Sequence, residues 1–183
     1  MRLECTSVPD VRIIEASAVR DERGWLLVNF DQRRFDDALG REVRFVQENH
    51  SLSHRNVLRG LHYQLPPRSQ GKLVRVVRGS AFDVAVDVRR GSPTFLRWVG
   101  VMLDAIDHRQ LWIPPGFAHG FLALEDDTHC LYKLTDHYAP ALERSIAWND
   151  STIGIQWPKV DSAPIVSIRD AAAPMIGAAE VFN

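Results

Sequence analysis

Between residues 72 and 90 the chain alternates with period two. Leu73-Val74-Arg75-Val76-Val77-Arg78 is followed by a Gly79-Ser80 break and then by Phe82-Asp83-Val84-Ala85-Val86-Asp87-Val88, closed by Gly91-Ser92-Pro93. Alternation places successive side chains on opposite faces of an extended chain, so two strands around a tight turn are expected. Phe82, Val84, Val86 and Val88 share one face while Asp83, Ala85 and Asp87 share the other, which predicts a sheet with one oily and one polar side. Strand-like runs recur at 95–101, 109–113, 119–124, 130–134 and 145–148, and short strands at that spacing predict a double-sheet jelly roll. Helical signals are scarce. Asp31 as N-cap, Phe35 and Leu39 one turn apart, and Gly40 as terminator predict two turns over 31–39. A second short helix is expected from Ser167, where Ser167-Ile168-Arg169-Asp170 has the form of a capping box and Pro174 limits its length.

With 183 residues, 45% of them hydrophobic, the chain can bury a core of its own. Ten prolines and eleven glycines are spread evenly, which predicts one domain over 1–183. No run approaches eighteen apolar residues, and Met1-Arg2-Leu3-Glu4-Cys5 lacks the basic-then-apolar form of a signal, so a cytoplasmic protein without a membrane partner is expected. A net charge of −1 argues against nucleic acid and leaves any anionic ligand to a few local cations. Cys5 and Cys130 stand far apart without a Cys-x-x-Cys and read as inert thiols. Nucleotide-binding glycine loops of the Gly-x-Gly-x-x-Gly or Gly-x-x-x-x-Gly-Lys kind are absent from the sequence.

The chemistry-bearing residues cluster around Arg59-Gly60-Leu61-His62-Tyr63-Gln64 and Gln70-Gly71-Lys72. In an extended strand Leu58, Gly60, His62 and Gln64 face one way, aiming His62 into the barrel, where an imidazole can accept a proton. A lone histidine there is more often a core residue satisfied by a carbonyl; its company lowers the weight of that reading. The run Leu111-Trp112-Ile113-Pro114-Pro115-Gly116-Phe117-Ala118-His119-Gly120-Phe121 contains a Pro-x-Gly-x-x-His turn similar to that of cupin barrels. Many cupins hold a metal with His-x-His, a glutamate and a later histidine, because a divalent ion needs three or four converging donors. Here His62-Tyr63-Gln64 breaks the first pair, and Gln70 and Lys72 occupy the glutamate's region. An ammonium in that place opposes a tight metal site, so no metal and no metal-dependent oxygenase is expected.

Those segments, together with Phe82 to Arg89, Ser92-Pro93-Thr94-Phe95, Tyr132-Lys133 and Trp148-Asn149-Asp150, resemble the dTDP-4-dehydrorhamnose 3,5-epimerase family in matching order over residues 8–175. The resemblance implies a mainly β, cupin-type double-stranded β-helix (jelly roll) with a few short helices. It implies an isomerase that converts dTDP-4-dehydro-6-deoxy-D-glucose to dTDP-4-dehydro-L-rhamnose without a cofactor. A ketone at C4 acidifies the protons on C3 and C5, so removing either gives an enolate that can be reprotonated on the other face.

By the same resemblance His62 is the base, Asp170 its dyad carboxylate, Tyr132 the acid on the opposite face, and Lys72 the charge beside the C4 oxygen. Asp83, on the polar face near Lys72, either holds that lysine or faces solvent, and is left outside the catalytic set. Arg23, Arg59 and Arg169 correspond to phosphate and nucleotide contacts, with lysine more usual at the last. Gln47-Glu48-Asn49-His50-Ser51 corresponds to a nucleotide-binding stretch, His119 to a sugar contact, Glu143 to a further binding residue, and Tyr138 to the ring that stacks on thymine. Val28 departs from the family, which commonly has glutamate there; that contact is lost or moved, with Asn29 one candidate to take it. A homodimer is implied, with a dTDP-4-keto-6-deoxyhexose as the small-molecule partner. A single-site epimerase at C3 or C5 on a related dTDP-4-keto sugar, and a non-catalytic nucleotide-sugar binder, remain the alternatives.

Overall fold

In the computed structural model, which describes residues 2–160 and 162–183, the alternating segment forms the expected hairpin. In chain order the strands are β1 (Arg2–Cys5), β2 (Arg12–Glu15), β3 (Ala18–Asp21), β4 (Gly24–Leu27), β5 (Gln47–Ser53), β6 (Leu58–Gln64), β7 (Lys72–Arg78), β8 (Ser80–Asp87), β9 (Trp98–Asp104), β10 (Gln110–Ile113), β11 (Phe117–Ala123), β12 (Thr128–Leu134) and β13 (Glu143–Ser145). The helices are α1 (Gln32–Leu39) and α2 (Ile168–Ala171). A six-stranded sheet, β1-β2-β10-β7-β12-β5, faces a five-stranded sheet, β13-β6-β11-β8-β9, and β3 and β4 make a separate two-stranded hairpin. Neighbouring strands are antiparallel in both large sheets, giving the double-sheet jelly roll that the pattern predicted.

Between the sheets lies one apolar cluster that includes Val74 and Val76 of β7, Ala81 and Ala85 of β8, Leu111 and Ile113 of β10, Phe117 and Phe121 of β11, and Cys130 of β12. The one-oily, one-polar reading of β8 needs correction. Val84, Val86 and Val88 do share a face, but it packs under the C-terminal segment through Ile153, Ile176, Ala179 and Val181. The opposite face, with Ala85, Asp83 and Asp87, is the barrel interior and not solvent: both aspartates are buried. Both faces are covered because the chain after β13 folds back over the outside of the five-stranded sheet.

A third cluster caps the outside of the six-stranded sheet, where Phe35 of α1 packs with Trp112, Ile14, Leu73 and Val43. Helix α1 ends as expected: Asp31 accepts from the Arg34 N–H, and Gly40 takes the left-handed conformation at φ 68°. Helix α2 also forms, with Ser167 accepting from the Asp170 N–H. Several boundaries move. The run at 95–101 begins as strand only at Trp98, because turns at Ser92 to Arg97 consume its first residues. The run at 145–148 is strand at Glu143–Ser145, with Ile146 still pairing with Leu61 through the backbone. Strands β1 to β5 carry too little alternation to have been expected.

Candidate active site

A cavity of about 460 Å³ opens at one end of the barrel, walled by Leu58, Arg59 and His62 of β6, Lys72 of β7, His119 and Phe121 of β11, Tyr132 of β12, and Arg169 and Asp170 of α2. All four residues expected to be catalytic therefore share one space. His62 belongs to the five-stranded sheet and Tyr132 to the six-stranded one, so the side chains expected to be base and acid line the cavity from opposing sheets. The local backbone arranges this. Register runs from Phe121 opposite Arg59 to His119 opposite His62, which leaves one extra residue in β6 between them. The strands approach so closely there that a Cβ on Gly60 would meet the Gly120 Cα at 2.6 Å. Glycine permits the approach, and the bulge sets His62 directly across from His119.

His62 Nε2 lies 2.6 Å from Asp170 Oδ1. Burial works to raise the Asp170 carboxyl, but hydrogen bonds from His62, the Gly60 N–H and Ser167 outweigh it and hold the group below the usual carboxylate range. An ionised Asp170 makes Nε2 the donor and leaves Nδ1 as the basic nitrogen. The capping box is thus half built: Ser167 caps α2, while the Asp170 carboxylate serves His62.

A second pair sits deeper. His119 Nε2 is 3.0 and 3.1 Å from the two Asp83 oxygens, with both residues buried. Burial pushes the His119 imidazole down, Asp83 opposes this, and Lys72 reinforces it. A neutral ring that donates through Nε2 keeps Nδ1 as an acceptor. Lys72 is buried and its Nζ donates to the His62 carbonyl at 3.2 Å. Burial pushes its ammonium down to about 8, against the pull of Asp83 and Glu143. Asp83 is the residue that sequence reasoning left out; its signal was present in the alternation, but nothing in the pattern said that the polar face closes into a barrel.

The residues expected to bind substrate divide. Arg59 lines the cavity and is oriented by Ser53 Oγ and the Leu52 carbonyl, each 3.1 Å away. Arg169 reaches the rim, where its Nη1 is 2.6 Å from Glu143 Oε2, and Tyr138 donates to the same oxygen at 2.6 Å. Tyr138 is half exposed, leaving a ring face open for stacking. Gln47 and Asn49 are joined at 2.8 Å on β5, with Asn49 the register partner of Tyr132. Glu48 alternates to the other face of β5, where Lys133 holds it at 2.9 Å, so it does not join the cavity of its own chain. Arg23 does not join it either: it lies exposed at the β3–β4 turn, paired with Asp21. Val28 is exposed, and the Asn29 side chain accepts from Arg75.

The broken metal motif has a structural use. Gln64 donates to the Arg68 and His137 carbonyls and accepts from the Ala139 N–H, and Gln70 donates to the Asp136 carbonyl. Both amides pin the loop that carries Tyr138. Among the described residues no three His, Cys, Asp or Glu side chains converge as a metal site.

Residues 5–177 match the dTDP-4-dehydrorhamnose 3,5-epimerase family. The dTDP-4-dehydrorhamnose 3,5-epimerase of Salmonella typhimurium is 53% identical over 171 residues, 93% of each chain. The dTDP-6-deoxy-D-glucose-3,5-epimerase of Legionella pneumophila, solved in complex with dTDP-4-keto-L-rhamnose, superposes with a TM-score of 0.93 at 46% identity, covering 97% of this chain and 93% of that one. A 3'-monoepimerase from Streptomyces bikiniensis, solved with dTDP-quinovose, gives a TM-score of 0.88 at 38% identity, covering 94% and 87%. The chain belongs to the dTDP-4-dehydrorhamnose 3,5-epimerase family and is an isomerase.

Proposed function

We propose that this epimerase inverts both C3 and C5 of dTDP-4-dehydro-6-deoxy-D-glucose, with His62 as base and Tyr132 as acid. The observation that carries the reading is the placement of those two side chains on facing sheets around one cavity. His62 takes the proton from the carbon beside the C4 ketone, and the broken C–H bond leaves its electrons as an enolate. Lys72 supplies positive charge where the enolate oxygen develops, a place at which charge appears only along the reaction. Asp170 steadies the imidazolium. Tyr132 then delivers its hydroxyl proton to the opposite face of the same carbon, and both groups exchange protons with water before the next turnover. Arg59 and Arg169 suit the diphosphate, and Tyr138, whose N–H donates to Gln47, suits the base, with Asn49 joined to Gln47.

We further infer a cytoplasmic homodimer in which the β3–β4 arm of one copy serves the cavity of the other. The arm exposes Val19, Trp25, Leu26 and Val28, with Leu26 at 76%. Apolar side chains exposed on and beside a hairpin that joins neither large sheet favour burial against a partner. Exchange of arms would also bring the exposed Arg23 to a diphosphate that its own chain's cavity keeps out of reach. Two free cysteines, one of them buried, suit a reducing compartment.

Incubation with dTDP-4-keto-6-deoxyglucose in deuterated water tests the reaction. Label at both C3 and C5 is the expected result. Label at one carbon alone makes the chain a single-site epimerase like the Streptomyces bikiniensis enzyme, and nucleotide binding without label makes it a non-catalytic binder.

A further inference from the structure

The β3–β4 arm pairs with no other strand among the described residues, yet its base is held by a buried charge. Arg75 sits at the centre of β7. Its neighbours Val74 and Val76 belong to the interior core, so Arg75 points to the outer face of the six-stranded sheet, where it is only 8% exposed. Its Nη1 donates to Asn29 Oδ1, two residues beyond the end of β4, and its Nη2 donates to His108 Nδ1 at 3.3 Å. Gln110, the register partner of Arg75 on β10, donates to the Asn29 carbonyl at 2.6 Å. Trp25 of β4 packs on the His108 ring at 4.4 Å. Burial, together with Arg75 and Arg20, pushes His108 down despite Asp104 and Asp107, which keeps the imidazole neutral and able to accept.

No carboxylate among the described residues pairs with Arg75, and its Nε is buried without a partner. An uncompensated guanidinium is an expensive way to fill this space, since an apolar chain of similar length would do so without the desolvation cost. What the guanidinium adds is direction, because its planar fork fixes two acceptors at set angles. Both acceptors belong to the seat of the arm: Asn29 lies just past its second strand, and His108 supports its tryptophan.

We propose that Arg75, acting through Asn29, is a positioning residue for the epimerisation, setting the direction of the β3–β4 arm and hence where Arg23 arrives in the second copy's cavity. The inference rests on the arm-exchange reading given above. Asn29 is then a joint of the arm, and substrate affinity is the property it controls.

Steady-state kinetics on full-length variants with dTDP-4-keto-6-deoxyglucose test this. Asn29→Ala is expected to raise KM about tenfold with kcat changed less than about twofold, the mark of lost uniform binding. Asn29→Asp keeps the acceptor for Arg75 and restores KM to within about twofold of wild type. Arg75→Met should behave as Asn29→Ala does. Combining Arg23→Ala with Asn29→Ala should be no worse than Arg23→Ala alone, because both remove one interaction. If Arg23→Ala raises KM and Asn29→Ala does not, or if the two effects multiply, Arg75 does not position Arg23 and only this inference falls. If Arg23→Ala leaves KM unchanged, the arm-exchange reading falls and takes the inference with it.

Discussion

His62 and His119 face each other across β6 and β11, and each is hydrogen-bonded through Nε2 to an aspartate, yet the surroundings of the two pairs differ. The His62 side chain is 29% exposed at the cavity, with an aspartate brought from the far end of the chain on α2. The His119 side chain is 8% exposed, with an aspartate from the adjacent strand and a buried ammonium nearby. A base must take up a proton and return it to water, so a ring open to the cavity suits turnover. A ring pushed down by burial and locked as a donor to Asp83 suits recognition instead. The same residue pair thus suits a proton carrier at one depth and a fixed acceptor at the other, as the proposed mechanism requires.

Asn substitutions sharpen the contrast most. Asp170→Asn removes the charge that stabilises the imidazolium, and kcat should fall about a thousandfold with little change in dTDP affinity. A smaller loss belongs to Lys72, and pH reveals it. A lysine at about 8 loses its cation as pH rises through that value, so kcat/KM should decline above pH 8 in wild type. In Lys72→Arg the decline should shift upward, and in Lys72→Met the rate should be about a hundredfold lower at all pH values. Asp83→Asn frees the His119 tautomer and should raise KM about tenfold, a loss the size of one charge-assisted hydrogen bond; because it also removes a charge that holds the Lys72 ammonium up, the decline in rate should begin at lower pH, with kcat spared only below that range. If Asp83→Asn instead matched Asp170→Asn, the division of labour between the pairs would be wrong. The smallest effect is on acid stability. The Asp170 carboxyl is held low in the folded state, so its contribution is full above the ordinary carboxylate range and is lost as pH falls through the lowered value. Urea titrations on going from neutral pH to about pH 3 should therefore cost wild type more stability than Asp170→Asn.

What could be read before folding follows from how local the signal is. The β7–β8 hairpin, Asp31 and Gly40 at the ends of α1, and Ser167 at the start of α2 are each determined within a few residues, and all appear where expected. His62, Lys72, Tyr132 and Asp170 were found through motif order, and they meet in one cavity although α2 lies more than a hundred residues from β6. Asp83 escaped because burial of its face depends on closure of two sheets, a property that no single strand encodes. Glu48 and Arg23 lie outside the cavity of their own chain because the face of β5 and the course of the β3–β4 hairpin are set by long-range packing, which the local sequence does not carry. The link between Arg75 and Asn29 lies beyond local reading for a related reason, since 46 residues separate the two.

The central claim is that the ring at the cavity mouth removes the sugar's proton. It is tested most directly by following deuterium at C3 and C5 of dTDP-4-keto-6-deoxyglucose by NMR in deuterated water with His62→Ala. The account predicts no label at either carbon while dTDP still binds within about twofold of wild type. Label entering either carbon at the wild-type rate would contradict it.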